Sequence, residues 1–445
     1  MNLRRFYPLD GFPQQRQLWS WISYDVANQS FTLIVNTLLF PIFFAQIVVQ
    51  NPAIDDRLWS IVFGSSMLLT AILSPIAGAA ADERGWKKRC LIGSGFVCAA
   101  FTCALAIIQP GQLWLAALLY IPANFAFSIG ENFLASFLPT LGRQDQIGRV
   151  SGFSWACAYA AALLLLVLTA GAMMLGGMQA PTDWRPFFVF SGLWFFAFML
   201  PTMRWLDEPA VPRPVQHSSN LLTVGFVRLA DSVRHAAQFR DLAMLLVASL
   251  FYGTGMSVVV FFASKLADEY GFSQVSLVLF VAVITVSGIF GTIIPTLLQD
   301  RIGHRRSTVI LLGVWIFAAL AFALYAHRHD SHSSVPGAAP YPTWPLWAIG
   351  NLLGFGLGSL GSANRAFVGY LAPASRAAEI FGLWGLMFKL AAIMTFPFAV
   401  MKDTVGTPQA LLLLAGFMVI GLVLTLFIDE KRGHAAAQEG DTVPV

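Results

Sequence analysis

The sequence predicts an all-α membrane protein with twelve transmembrane helices in two pseudo-symmetric six-helix bundles. The 445 residues are 57% hydrophobic and only 11% charged, whereas a soluble protein carries about 25% charged residues. Apolar stretches of the ~20 residues needed to cross a bilayer recur along the whole chain. Such spans are helical because lipid offers no partners to backbone polar groups. A polar, proline-rich segment divides them into two sets of six.

The apolar stretches give approximate bounds for the helices. They cover about residues 21–49, 58–80, 90–109, 113–138, 150–175 and 186–206, and then 242–264, 275–298, 307–326, 345–370, 380–400 and 408–428. The sequence thus predicts an N-terminal bundle over 1–206 and a C-terminal bundle over 242–428. Between them, residues 207–241 form a cytoplasmic linker with an amphipathic helix, and 429–445 form a disordered cytoplasmic tail.

The placement of Lys and Arg predicts the orientation. With both termini in the cytoplasm, most basic residues fall in cytoplasmic loops. The loops on the opposite side contain only Arg57, Arg185, Lys265, Arg328 and Lys402. No apolar run precedes Leu18, so we expect the first helix to direct insertion, with no cleaved signal peptide.

Several classes of function are excluded by missing motifs. The four Cys residues lie in apolar stretches without a Cys-x-x-Cys pair, so we expect neither a disulfide framework nor a zinc site. The sequence contains no phosphate loop, no His-Glu-x-x-His and no Gly-x-Ser-x-Gly. We therefore expect no enzyme activity, no cofactor and no metal, and no nucleic-acid partner because no basic domain lies outside the membrane.

A repeated turn relates the two halves. Residues 82–88 read Asp-Glu-Arg-Gly-Trp-Lys-Lys, and residues 300–306 read Asp-Arg-Ile-Gly-His-Arg-Arg. A carboxylate there can dock on a helix N-terminus in one conformation and leave it in another. The sequence therefore predicts gating turns, whose candidate residues are Asp82, Gly85, Lys88, Arg89, Asp300, Arg301, Gly303, Arg305 and Arg306.

These features resemble the major facilitator superfamily of transporters, with its six-plus-six helices, long middle loop and Asp-Arg-x-Gly-x-Arg-Arg turn. Three segments are similar to the vacuole-effluxer branch, which includes autophagy-related amino-acid exporters and bacterial members. They are residues 21–31 leading to Phe40-Pro41, residues 147–155, and residues 379–384 followed by Lys389. The resemblance implies a transporter, here in a bacterial inner membrane. Leu134-Ala135 stands where that branch usually has Tyr-Asn, a difference that falls in a helix expected to line the cavity.

A polar stripe follows the first helix. Asp25, Gln29, Thr32 and Asn36 share a face by helical spacing, with Asn28 beside them. Such a face either lines a water-filled cavity or packs on another polar face. The sequence leaves open whether Asp25 lies on a solute pathway or is a structural cap.

The fourth helix repeats this spacing with Asn124, Ser128 and Glu131. An ionisable group inside a span is costly and by default indicates function. Three roles are open for Glu131: proton coupling, a fixed ion pair with a basic residue such as Arg149, or direct binding of substrate.

The second half contributes a lysine to the eleventh helix. Lys389 lies near the middle of that helix and needs a carboxylate partner or an anionic ligand. The tenth helix is dense in glycine, which favours close packing and rocking of helices. It also contains Asn351, a pathway candidate, and Arg365, which is either a cytoplasmic gate residue or a substrate contact.

The sequence thus predicts a monomeric carrier that moves a small polar solute by alternating access, with amino acids as the leading candidates and protons as a possible coupling ion. A facilitative exporter, a channel and a non-transporting membrane scaffold are the alternatives.

Overall fold

The computed structural model describes residues 14–137, 141, 147–208, 230–231, 233–234, 236–334, 340–373 and 377–442. At 75, 79, 82–83, 147–152, 293–298, 300–301, 377–379 and 440–442 it describes the backbone only. Within this part of the chain, 12 helices are long and apolar enough to cross a membrane. The predicted fold class is therefore confirmed.

The helices are numbered α1 to α13 in chain order. In the first half they are α1 from Gln15, α2 (Asp55–Arg84), α3 (Lys87–Ala104), α4 (Leu113–Phe137), α5 (Ile147–Leu175) and α6 (Arg185–Trp205). In the second half they are α7 (Arg240–Glu269), α8 (Gln274–Ile302), α9 (His304–Ser333), α10 (Trp344–Leu371), α11 (Ala377–Ile393 and Phe396–Thr404), α12 (Thr407–Leu426) and α13 (Glu430–Thr442).

Helix α1 changes its winding within the span. It is α-helical over Gln15–Ser30, π-helical over Phe31–Leu38, α-helical over Phe40–Phe43 and π-helical again over Phe44–Val49. Pro41, which has no N–H to donate, lies between the two widened segments. A wider turn rotates later residues away from the face that regular α-helical spacing assigns to them.

The chain divides into two compact units. Unit 1 contains residues 1–50 and 65–227, and unit 2 contains residues 51–64 and 228–445. Helix α2 therefore begins in unit 2 and ends in unit 1.

The two units repeat the same helix pairings. In unit 1, α1 packs against α5 and α6, and α3 packs against α4 and α6. In unit 2, α7 packs against α11 and α12, and α9 packs against α10 and α12. Each of these four pairings in unit 2 is a unit 1 pairing moved on by six helices, as expected for two pseudo-symmetric bundles.

Glycines let α8 and α10 approach until their backbones touch. A Cβ at Gly358 would overlap the carbonyl oxygen of Gly288, and one at Gly354 would lie 2.5 Å from the carbonyl oxygen of Ile284. The glycine-dense tenth helix thus serves close packing, in agreement with the sequence-based interpretation.

The C-terminal tail differs from its expected disorder. Residues Glu430–Thr442 form helix α13, which Asp429 caps by accepting hydrogen bonds from the N–H groups of Lys431 and Arg432 at 3.1 Å. Arg432 bonds both carboxylate oxygens of the buried Asp241 on α7 at 2.8 and 2.7 Å. These contacts order a segment whose polar composition alone indicates disorder. Most of the expected linker helix falls on residues 209–229, which lie outside the described residues.

The close packing of α8 and α10 makes a stability prediction. Replacing Gly358 with Ala places a methyl group against the backbone of α8, so we expect a loss of about 1–3 kcal/mol, the usual cost of overpacking. Thermal unfolding of the purified protein in detergent measures the change. The matched control is Gly313→Ala on α9, where a Cβ meets nothing within 4 Å. A Gly358→Ala protein that melts with the control would contradict the backbone contact.

Candidate functional site

A buried chain of hydrogen bonds joins three helices inside unit 1. The side-chain amide of Asn36 on α1 donates to Asn124 on α4 at 3.0 Å, and Asn124 donates to the hydroxyl of Ser66 on α2 at 2.7 Å. The Tyr120 hydroxyl donates to Asn36 at 2.8 Å. All four side chains are buried. In this conformation, Asn36 and Asn124 therefore hold helices together and offer no surface to a solute.

The N-terminal half of the α1 stripe is less enclosed. Asp25 is half-buried and accepts a hydrogen bond from the Ser154 hydroxyl on α5. Gln29 and Thr32 are half-buried, and the Thr32 hydroxyl donates to the carbonyl oxygen of Asn28 at 3.1 Å. The Asn28 side chain is buried, with no hydrogen-bond partner among the described residues. Asp25, Gln29 and Thr32 therefore keep part of their surface accessible.

Glu131 is the exposed member of the α4 stripe. Ser128, one turn earlier, is buried, whereas the Glu131 side chain is exposed. Glu131 lies six residues before the end of α4 at Phe137, or ~9 Å along the helix axis. The side chain of Arg149, its candidate ion-pair partner, lies outside the described side chains.

In unit 2, Lys389 is half-buried on α11. Asn351 on α10 is also half-buried; it accepts a hydrogen bond from Ser287 on α8 and donates to the carbonyl oxygen of Trp347 at 2.8 Å. Arg365, further along α10, is exposed. Both candidate residues of α10 thus retain accessible surface, but the side-chain amide of Asn351 is already hydrogen-bonded to its neighbours.

Both turns that the sequence predicts as gates have a glycine with positive φ. Gly85 has φ 63° and Gly303 has φ 91°, a region that side-chain-bearing residues rarely enter. Each glycine ends one helix and allows the next to begin within two residues. The side chains of Asp82, Asp300 and Arg301 fall outside the description, while Arg89 and Arg306 are exposed.

Sequence reasoning missed a buried charge cluster in unit 2. The Lys265 ammonium of α7 contacts Asp55 at 3.1 Å and also Asp56, both in the first turn of α2. Lys402 of α11 contacts Asp56 at 2.6 Å and Glu269 at 2.8 Å. Only 1% of the Asp56 side chain and 6% of the Lys265 side chain are exposed. The cluster ties the beginning of α2 to the ends of α7 and α11.

Helix polarity favours this cluster. The carboxylates lie at the N-terminus of α2, while Lys265 and Lys402 lie near helix C-termini, so each charge faces the helix end of opposite sign. The carboxylate oxygens of Asp55, Asp56 and Asp403 lie within 4.8 Å of one another. The two ammonium groups supply the positive charge that this grouping needs.

The sequence contained a signal for the cluster. The acids Asp55 and Asp56 are consecutive just before the second apolar stretch, and Lys265 and Lys402 follow the seventh and eleventh stretches. A pair of acids at one helix start and lysines at two helix ends on the same side of the membrane is the pattern of an ion-pair network.

The family comparison covers most of the chain. Residues 56–438 match the family model described as "Vacuole effluxer Atg22 like". The uncharacterized MFS-type transporter YxiO of Bacillus subtilis is 23% identical over 440 residues, which are 96% of this chain and 98% of that protein. Autophagy-related protein 22 of Saccharomyces cerevisiae is 22% identical over 435 residues, covering 85% of this chain and 79% of the yeast protein.

The fold is also similar to crystal structures of transporters. A D-xylose–proton symporter superposes with a TM-score of 0.68 and 14% identity, covering 94% of this chain and 98% of that one. A POT family transporter in complex with 5-aminolevulinic acid superposes with a TM-score of 0.69 and 10% identity, covering 98% of each chain. Identities this low show the shared fold alone.

The charge cluster makes a stability prediction. Lys265→Met leaves buried carboxylates short of one counter-charge, and we expect a loss of about 3–5 kcal/mol, the usual effect of removing one partner of a buried pair. Lys265→Arg keeps the charge and is expected to recover part of the loss. Thermal unfolding measures all variants against Lys431→Met, which removes an exposed lysine. If Lys265→Met melts with Lys431→Met, the cluster does not stabilise unit 2.

Proposed function

Since the chain belongs to the Atg22-like vacuole effluxer family, and is an integral multi-pass membrane transporter, we propose that it is a secondary active carrier of a small polar solute. Amino acids are the leading solute class, and the mechanism is alternating access. Unit 1 contains the Asp25 carboxylate, which attracts a solute ammonium group, and the Glu131 carboxylate, which is the candidate proton carrier. Unit 2 contains the Lys389 ammonium, which attracts a carboxylate.

The observation that carries this proposal is the exposure of Glu131. The helix around it is apolar enough to cross a membrane, and a charged side chain facing lipid is strongly disfavoured. The exposed carboxylate therefore needs a water-filled surface. A pathway with an ionisable group well inside the bilayer is what a carrier of polar solutes requires.

We propose that protons are the coupling ion. A carboxylate on a pathway whose access alternates can bind a proton on one side of the membrane and release it on the other. We further propose that the protein is a monomer of a bacterial inner membrane with cytoplasmic termini, as the placement of Lys and Arg favours.

The direct test is transport by the purified protein in liposomes. We expect uptake of at least one amino acid, faster when a proton gradient is imposed, and exchange of labelled solute against unlabelled solute inside. Such counterflow also separates a carrier from a channel. Absence of uptake and exchange across amino acids, sugars and nucleosides, with or without a gradient, would overturn the proposal.

Glu131→Gln separates coupling from binding. The amide keeps the size of the side chain but cannot exchange a proton, so gradient-driven uptake should fall to background while solute exchange continues. The matched control is Asp183→Asn, which neutralises an exposed carboxylate between α5 and α6 and should retain both activities. Loss of exchange together with uptake in Glu131→Gln would assign the residue to solute binding instead.

A further inference from the structure

Each gating turn is bonded to a glutamate that follows the sixth helix of its own unit. In unit 1, Glu208 accepts a hydrogen bond from the N–H of Lys88 at 2.8 Å. In unit 2, Glu430 accepts from the N–H groups of His304 and Arg305 at 3.0 and 3.1 Å. We propose that Glu208 and Glu430 are paired positioning residues that anchor the two gating turns, an inference that rests on the proposed transport function.

The two glutamates belong to a repeated tripeptide. The sequence reads Leu206-Asp207-Glu208 after α6 and Ile428-Asp429-Glu430 after α12. Leu206 and Ile428 are each 1% exposed, so the aliphatic residue fixes the chain against its bundle just before the acids. Both halves therefore repeat the tripeptide and the hydrogen bonds that its glutamate accepts from the start of a helix.

The middle residue of the tripeptide reaches a further helix. Asp207 accepts a hydrogen bond from the Gln17 side chain at the start of α1, and the N–H of Asp429 donates to Asp241 at the start of α7 at 2.8 Å. Each tripeptide therefore connects the first, third and sixth helices of its unit at one end of the bundle.

Electrostatics favours a carboxylate at these positions. The first N–H groups of a helix have no partner within the helix, and the helix dipole makes that end positive. Lys87 and Lys88 begin α3, and Arg305 and Arg306 follow the start of α9, adding positive charge. A charge-assisted bond to these N–H groups is stronger than one to a neutral acceptor.

In unit 2, the absence of a side chain at the turn glycine also leaves room for the anchoring glutamate. A Cβ at Gly303 would lie 3.1 Å from a carboxylate oxygen of Glu430, in addition to the strain of its positive φ. A side chain there would require the carboxylate that caps α9 to shift by a few tenths of an ångström. The turn thus combines a backbone conformation with the space for its anchor.

Anchoring matters for a gate because the turn must move with its bundle. A turn tied at three helix ends transmits the displacement of the bundle, whereas a loose turn absorbs it. The anchors thus couple each gating turn to the rest of its unit.

The anchors are tested first without any transport assay, by hydrogen–deuterium exchange of the full-length protein in detergent. Glu430→Ala should raise exchange at residues 304–306 by about fivefold, the effect of losing a helix cap, and leave residues 87–89 unchanged. Glu208→Ala should do the reverse. Glu439→Gln, a neutralised carboxylate on the exposed part of α13, is the control and should change neither segment.

Transport kinetics test whether the anchors act on the gate. In liposomes, Glu208→Ala and Glu430→Ala should lower the maximal rate about fivefold with KM within about twofold, because solute binding is untouched while the conformational step is slowed. Glu→Gln at either position keeps an acceptor but loses the charge, and should fall between wild type and Ala.

The outcomes separate this inference from the transport proposal. Exchange that rises throughout the protein, or does not rise at the matching turn, overturns the anchors whatever the transport result. Local exchange changes with unaltered maximal rates show that the glutamates are caps without a role in gating, which also overturns the inference. A wild-type protein that moves no solute refutes the transport proposal and with it the gating role, while the exchange measurements still decide whether the caps exist.

Discussion

A polar side chain inside an apolar bundle needs either a hydrogen-bond partner or water, and this constraint sorts the polar residues of the chain. Asn36 and Asn124 satisfy it with each other, with Tyr120 and with Ser66. Glu131, on the same stripe of α4 as Asn124, has an exposed side chain. Residues that share a stripe by helical spacing therefore differ in burial, because Asn124 is enclosed with its hydrogen-bond partners and Glu131 is not buried.

The same constraint applies to charge at the helix ends. Free N–H groups at a helix start are met by carboxylates, as Glu430 meets α9, and the Lys265 ammonium lies near the end of α7 beside the acids that begin α2. One end of unit 2 is held by an ion-pair cluster and the turns by carboxylate caps. In both arrangements, carboxylates lie at helix N-termini, and in the cluster the lysines lie near helix C-termini, so each charge is at the helix end whose dipole favours it.

Much of the fold could be predicted because hydropathy and loop charge are local properties of a sequence. Twelve spans, two halves and the glycine turns follow from runs and spacings. Partners could not be predicted in this way, since spacing gives the face of a helix and not the helix opposite. The π-helical segments of α1 also shifted the face carrying Asn36, and α13 owes its order to Arg432 and Asp241, whose contact is distant in sequence.

The scaffold is repeated in the two units, whereas the ionisable residues of the candidate site are not. Helix pairings, glycine turns and Asp-Glu anchors occur in both units because each bundle must solve the same packing and capping problem. The ionisable residues within the spans do not follow that rule: α1 and α4 carry the carboxylates of Asp25 and Glu131, whereas α11 carries the ammonium of Lys389. Within a repeated frame, the two units therefore differ in the sign of the charge that these helices carry, and it is this difference, not the shared scaffold, that distinguishes one half of the chain from the other.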